Sequence, residues 1–174
     1  MTASFESVLK FVKPRNYSID VSLMSLKDQI EHWTRKIKGC KLDMDPEFQR
    51  VHVWTKEQQI AFVEFLIKGG ISGRDILFNC QKWGSGESRD FVLVDGKQRL
   101  TACLAFMNGE IPVFGHYLNE YKDKTVLKRI CLKFYVNDLP TMKHVLNWYL
   151  DMNAGGTPHT KEELDKVKNM LNKM

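Results

Sequence analysis

The run Phe-Val-Leu-Val-Asp-Gly-Lys-Gln-Arg-Leu-Thr-Ala-Cys-Leu-Ala-Phe at residues 91–106 restricts the fold more than any other stretch. The apolar, β-branched segment Phe91 to Val94 predicts a buried strand. It stops at Asp95-Gly96, a turn signal, and a helical pattern opens at once with Leu100, Cys103, Leu104 and Met107 on one face. A glycine there lets another group approach the backbone closely, and the first helical turn beyond it favours an anion. Lys97 and Arg99 stand beside that position and Asp95 stands at the strand end. Two readings follow: a phosphate site, or an ordinary turn whose lysine and arginine face solvent.

The length of 174 residues predicts one domain with room for a sizeable core. Hydrophobic residues at 43% and charged residues at 27% suit a globular chain, and the net charge of +5 suits an anionic ligand or nucleic acid without selecting either. Cys40, Cys80, Cys103 and Cys131 are widely separated and form no C-x-x-C pair. Cys103 and Cys131 fall inside apolar helix and strand patterns and read as reduced core residues, and a zinc site is not expected. No stretch reaches the roughly 20 apolar residues of a membrane span, and the N-terminus has no signal-peptide core. The expectation is therefore a cytoplasmic protein without a membrane partner.

Residues 1–22 read as an N-terminal strand or arm, and residues 23–174 as one domain ending in helices. From Leu23, residues Leu26, Ile30, Trp33 and Ile37 recur at helical spacing up to Gly39; Lys27, Arg35, Lys36 and Lys38 form a solvated face off that stripe. Asp45 to Arg50 is a polar connection. Thr55 opens a second helix with Gln58 placed for a capping box, and Gly69-Gly70 ends it. Ile76 to Phe78 and the strand before Asp95 predict a hairpin. Two further strands are expected at Ile111 to Phe114 and Ile130 to Val136, then a helix from Thr141 to Met152 and a last helix capped by Thr160 and Glu163.

Three segments together resemble a known family. They are Asp45-Pro46-Glu47-Phe48-Gln49-Arg50 with Trp54 downstream, Val94-Asp95-Gly96-Lys97-Gln98-Arg99-Leu100-Thr101, and Met152-Asn153-Ala154-Gly155-Gly156-Thr157-Pro158. Their order is similar to the N-terminal half of GmrSD-type, type IV restriction enzymes, within the ParB/sulfiredoxin-like superfamily. The resemblance runs from about Leu23 to the C-terminus. It implies a small α/β (α+β) fold, a mixed sheet flanked by helices, with a nucleotide pocket. Superfamily members bind or hydrolyse nucleoside triphosphates: ParB proteins use CTP, sulfiredoxin uses ATP, and GmrSD-type enzymes need NTPs for DNA cleavage.

On that resemblance Asp95 and Arg99 are the catalytic candidates. Gln49, Arg50, Gly96, Lys97, Gln98, Thr101, Asn153, Gly155 and Gly156 are the nucleotide-binding ones. Arg50 and Arg99 suit phosphate, since a guanidinium fork matches its oxygens in a bidentate way. Asp95 either holds Mg²⁺ or orients a water, or else caps the following helix. Gln49 contacts a base or sugar, or satisfies loop backbone. Phe48 and Trp54 stack on a base or belong to the core. Asn153, Gly155 and Gly156 line the pocket or simply end a helix.

Lys97 replaces the first glutamine of the family's Asp-Gly-Gln-Gln-Arg. The family's helical region and His-containing nuclease half would begin about where this chain ends, and His32, His52, His116, His144 and His159 are scattered. Complete restriction activity from these residues alone is not expected. The leading expectation is an NTP-binding and NTP-hydrolysing module in a DNA-linked process such as restriction or anti-restriction. The cofactors are NTP and Mg²⁺, and DNA and a restriction-complex protein are further partners. The alternatives are a metal-dependent nuclease or nickase of ParB-like type, and a non-enzymatic interaction protein or inhibitor of a restriction complex.

Overall fold

A computed structural model describes residues 16–35, 41–49, 53–85, 90–153 and 161–173. Its five strands are β1 (Tyr17–Ser22), β2 (Leu42–Asp43), β3 (Asp75–Cys80), β4 (Phe91–Asp95) and β5 (Cys131–Asn137). They form one mixed sheet in the order β1-β5-β3-β4-β2. β1 with β5 and β3 with β4 are antiparallel, while β3 with β5 and β4 with β2 are parallel. The helices are α1 (Leu26–Arg35), α2 (Lys56–Ile67), α3 (Lys97–Met107), α4 (Met142–Asn153) and α5 (Lys161–Asn172). This is the expected α/β architecture, a mixed sheet flanked by helices.

The strands alternate as a sheet covered on both faces must. Leu132, Phe134 and Val136 of β5, Ile76, Phe78 and Cys80 of β3, and Phe91 and Leu93 of β4 are buried in the main core. Helices α1, α2 and α3 close that core with Leu26, Trp33, Val63, Leu66, Leu100, Cys103 and Phe106. Trp33 stacks on Phe91 at a ring separation of 4.8 Å. The opposite face carries a smaller cluster. Val94 of β4 packs there with Phe48, Val145, Leu146, Trp148 and Tyr149, and Val167 of α5 completes it.

Local chemistry sets the boundaries. Thr55 and Gln58 form the expected capping box at the start of α2, with the Gln58 amide donating to Thr55 Oγ1 at 3.3 Å and Thr55 N–H to Gln58 Oε1 at 2.9 Å. The β3–β4 hairpin is present, with a register shift between Leu77 and Phe78. Two expectations need correction. The first helix begins at Leu26 rather than Leu23, because Ser22 caps a short 3₁₀ turn over Leu23–Ser25. Ile111 to Phe114 is not a strand: Val113 and His116 close a two-residue turn through Phe114 and Gly115, both at positive φ. Just ahead of the polar connection at Asp45 to Arg50, β2 pairs briefly with β4, a strand not expected from the sequence pattern. The predicted Gly39 stop and Thr160 cap lie outside the described residues.

Candidate functional site

The site begins where β4 passes into α3. Gly96 is the residue before the first helical turn and has φ 96°. A β-carbon there would stand 2.6 Å from Ile76 Cδ1 and 3.2 Å from the Asp75 carbonyl oxygen and Ile76 Cα. The group that approaches the glycine is thus strand β3. The turn is packed from below, and its side chains reach outward to the loops on either side.

Each of the next three residues has a distant or local partner. Lys97 forms an ion pair with Asp45. Gln98 is buried, and its Oε1 accepts the N–H groups of Val53 at 3.0 Å and Trp54 at 3.1 Å. Arg99 forms an ion pair with Asp95, Nη2 to Oδ2 at 2.7 Å, one helical turn apart. The Arg99 side chain also runs along Gly73, in the loop that leads into β3. Thr101 sits half-buried one turn further into α3.

Gln49 approaches from the first motif and donates from Nε2 to the Leu93 carbonyl of β4 at 2.5 Å. The first two motifs are therefore fastened by Gln49–Leu93, Gln98–Val53/Trp54 and Lys97–Asp45, contacts between residues 44 to 52 positions apart. Asn79 makes a comparable grip elsewhere, holding Leu139 through both its N–H and its carbonyl. Asn153 closes α4 and donates to the Tyr149 carbonyl at 2.6 Å. Phe48 is buried edge-on against Tyr149. Trp54 is half-buried against Phe62. Lys166 of α5 donates to the Glu47 carbonyl at 2.6 Å, so the first-motif loop is held from the other side too. Arg50, Gly155 and Gly156 lie outside the described residues.

The sequence reading missed Asp45 and Gly73. Asp45 was legible as the first residue of the first motif but not as the partner of Lys97, because that link spans 52 residues. Gly73 carries no motif at all.

The thiol on α3 is not an activated nucleophile. Burial pushes the Cys103 thiol up to about 12, so it stays protonated at neutral pH and supplies no thiolate. Among the described residues no three His, Cys, Asp or Glu side chains gather to hold a metal. A cavity of about 440 Å³ lies at the other end of α3, lined by Met107, Asn108, Gly109, Tyr117, Leu118, Asn119 and Lys124. None of the described motif residues lines it.

An α/β domain whose two sequence motifs are clamped together at one helix start is the class of protein these residues build. Residues 30–147 match the family of GmrSD restriction endonuclease N-terminal domains, and the chain belongs to that family. The matched span holds the first two motifs and ends before the third. No curated protein and no solved structure matches the chain. The chain is thus a restriction-endonuclease-related domain in a DNA-linked process. No helix among the described residues is long and apolar enough to cross a membrane.

Proposed function

We propose that the domain binds a nucleoside triphosphate at the β4–α3 turn and hydrolyses it within that DNA-linked process. The observation that carries the reading is the pair of cations, Lys97 and Arg99, fixed on the first turn of α3 beside a glycine entry and faced by the first-motif loop. A helix start favours negative charge, and phosphoryl transfer asks a protein mainly to position charge. Arg99 and Lys97 meet phosphate oxygens. Gln49 and Gln98 hold the two motifs in register, and the family resemblance adds Arg50, Asn153, Gly155 and Gly156 as further nucleotide-binding residues. Asp95 orients the attacking water or supplies an oxygen to Mg²⁺, an ion that proteins hold through one or two carboxylates together with substrate phosphates. The ParB/sulfiredoxin-like superfamily supplies the analogy for such a pocket; DNA and a restriction-complex protein are the partners of the wider process.

Titrating the four ribonucleoside triphosphates with Mg²⁺ against wild type and Arg99→Ala tests the reading. Binding weakened at least about tenfold by the substitution, with the circular dichroism spectrum unchanged, is the expected result. Equal affinity of the two proteins would overturn it.

A further inference from the structure

We propose that the face at the far end of α3 docks the C-terminus of a partner protein chain, one that ends in a branched aliphatic residue with a free carboxylate. The proposal is independent of the nucleotide reading, since none of its residues belongs to the β4–α3 turn or the first-motif loop.

Two hollows lie side by side there. The 440 Å³ cavity and a narrower slot of about 100 Å³ share Leu118 and Lys124 in their walls. Ile67, Phe106, Phe114, Val126 and Leu127 make the slot apolar. Its size suits one aliphatic side chain, since a dry cavity of roughly 150 Å³ takes up benzene. The wider cavity instead presents the amides of Asn108 and Asn119 beside Tyr117. Asn108 Nδ2 donates to Glu110 Oε1 at 2.8 Å, which leaves the Asn108 side-chain oxygen for an incoming N–H.

Three observations mark this face as a site. Lys124 is half-buried, and no described residue forms an ion pair or hydrogen bond with its ammonium. A covered cation without a counter-ion calls for an anion. Phe114, Tyr117 and Val126 are three of the eight large apolar side chains left exposed among the described residues, and all three line the two hollows. Phe114 also has φ 48°, a backbone that a bulky residue adopts only against strain, and such strain collects at ligand clamps.

Because Lys124 lines both hollows, the apolar group and the anion of the ligand must lie side by side. The last residue of a chain carries both on one Cα, and the peptide groups before it meet the Asn108 and Asn119 amides. The neighbouring charges leave Lys124 to act. Asp123 lines the slot but not the wider cavity, so it opposes a carboxylate from one side only. Glu64 accepts the Phe114 N–H, Glu120 accepts the Tyr117 N–H, and Lys68 stands over the Phe114 ring.

A chemical-shift titration of the isotope-labelled chain tests this with the peptide acetyl-Ser-Gly-Ser-Leu. The comparison peptides are its C-terminal amide, the form ending in Gly, and acetyl-Ser-Gly-Leu-Asp amide, whose carboxylate is on a side chain. The free acid should move the amides of Asn119 and Lys124 and bind at least about tenfold tighter than the amide or the Gly form. Lys124→Gln should bring acid and amide to within about twofold of each other, and Lys124→Arg should keep the preference. Phe114→Asn relieves the backbone, so it folds, and should weaken binding about fivefold. Asp123→Asn should tighten it about two- to threefold. Lys122→Gln, at an exposed lysine lining neither hollow, should change it less than about twofold. Equal binding of acid and amide, or a preference that survives Lys124→Gln, would overturn the proposal. So would a Leu-Asp amide as tight as the acid, which would make a side-chain carboxylate the ligand. Shifts confined to other faces, or no binding of any peptide at millimolar concentration, overturn it equally.

Discussion

Helix α3 is entered through Gly96, at φ 96°, and left through Gly109, at φ 73°. At the exit, Gly109 N–H donates to the Phe106 carbonyl at 2.9 Å and Glu110 N–H to the Ala105 carbonyl at 2.8 Å, the paired bonds of a Schellman cap. A β-carbon on Gly109 would meet nothing within 4 Å. At the entry the same β-carbon would run into β3. The two ends therefore need glycine for different reasons: the exit for backbone sign alone, the entry for sign and for close packing. They also differ in commitment. The entry is tied by Lys97 and Gln98 to residues more than 40 positions away, whereas the exit opens on a cavity and a tight turn. Both ends pack into the core, and among the described residues the entry alone of the two adds side-chain bonds from its first turn to the distant first-motif loop.

The largest effect that could break this comparison is Gly96→Ala. Left-handed backbone costs an L-residue roughly 1–2 kcal/mol, and overpacking against Ile76 adds about 1–3 kcal/mol. We expect a loss of about 3 kcal/mol in urea unfolding. Gly109→Ala should lose about 1 kcal/mol, from backbone sign alone. Equal losses at the two positions would mean that β3 yields to the added methyl and that packing is not what fixes the entry.

Gln98→Met sharpens the same contrast with a side chain of similar size. It removes the acceptor from the Val53 and Trp54 N–H groups and should cost about 2 kcal/mol. Hydrogen exchange at those two amides should speed up, with the amides of the α3 exit unchanged. Loss of stability without faster exchange at Val53 and Trp54 would show that Gln98 does not hold the first-motif loop.

What the sequence disclosed follows the range of the forces involved. The strand–turn–helix at 91–107, the Thr55 capping box and the β3–β4 hairpin are governed by neighbours within a few residues, and each is visible as a pattern. β2 has two residues, too few for any periodicity, and exists because β4 offers it an edge. Ile111 to Phe114 looks like a strand by composition, yet Pro112 has no donor and the chain reverses at Phe114-Gly115. At the candidate site, the residue types at the turn were legible, but their partners were not. Gln98 reads as a polar residue open to a ligand until the fold puts it under Val53 and Trp54, and Asp45 shows no partner until Lys97 arrives from 52 positions away.

The smallest expected effect is at the exit side and has the opposite sign. Phe114 has φ 48° and Gly115 has φ 79°, the double positive φ of a type I′ turn, closed by Val113 N–H to the His116 carbonyl at 2.8 Å and the reverse bond at 3.0 Å. Such turns favour asparagine at the first central position, and a bulky aromatic there is an outlier. Two contacts hold it: Glu64 Oε1 accepts the Phe114 N–H at 2.8 Å, and Lys68 Nζ stands 5.2 Å from the ring centre. The main-chain bond survives substitution, and the ring is already 41% exposed. Phe114→Asn should therefore stabilise the protein by up to about 1 kcal/mol, raising the melting temperature by roughly 2–4 °C. A lowered melting temperature would mean that the ring's packing over the slot formed by Ile67, Phe106 and Leu118 outweighs the backbone strain. The exit of α3 would then be held by side-chain contacts as firmly as its entry, and the contrast between the two ends would fail.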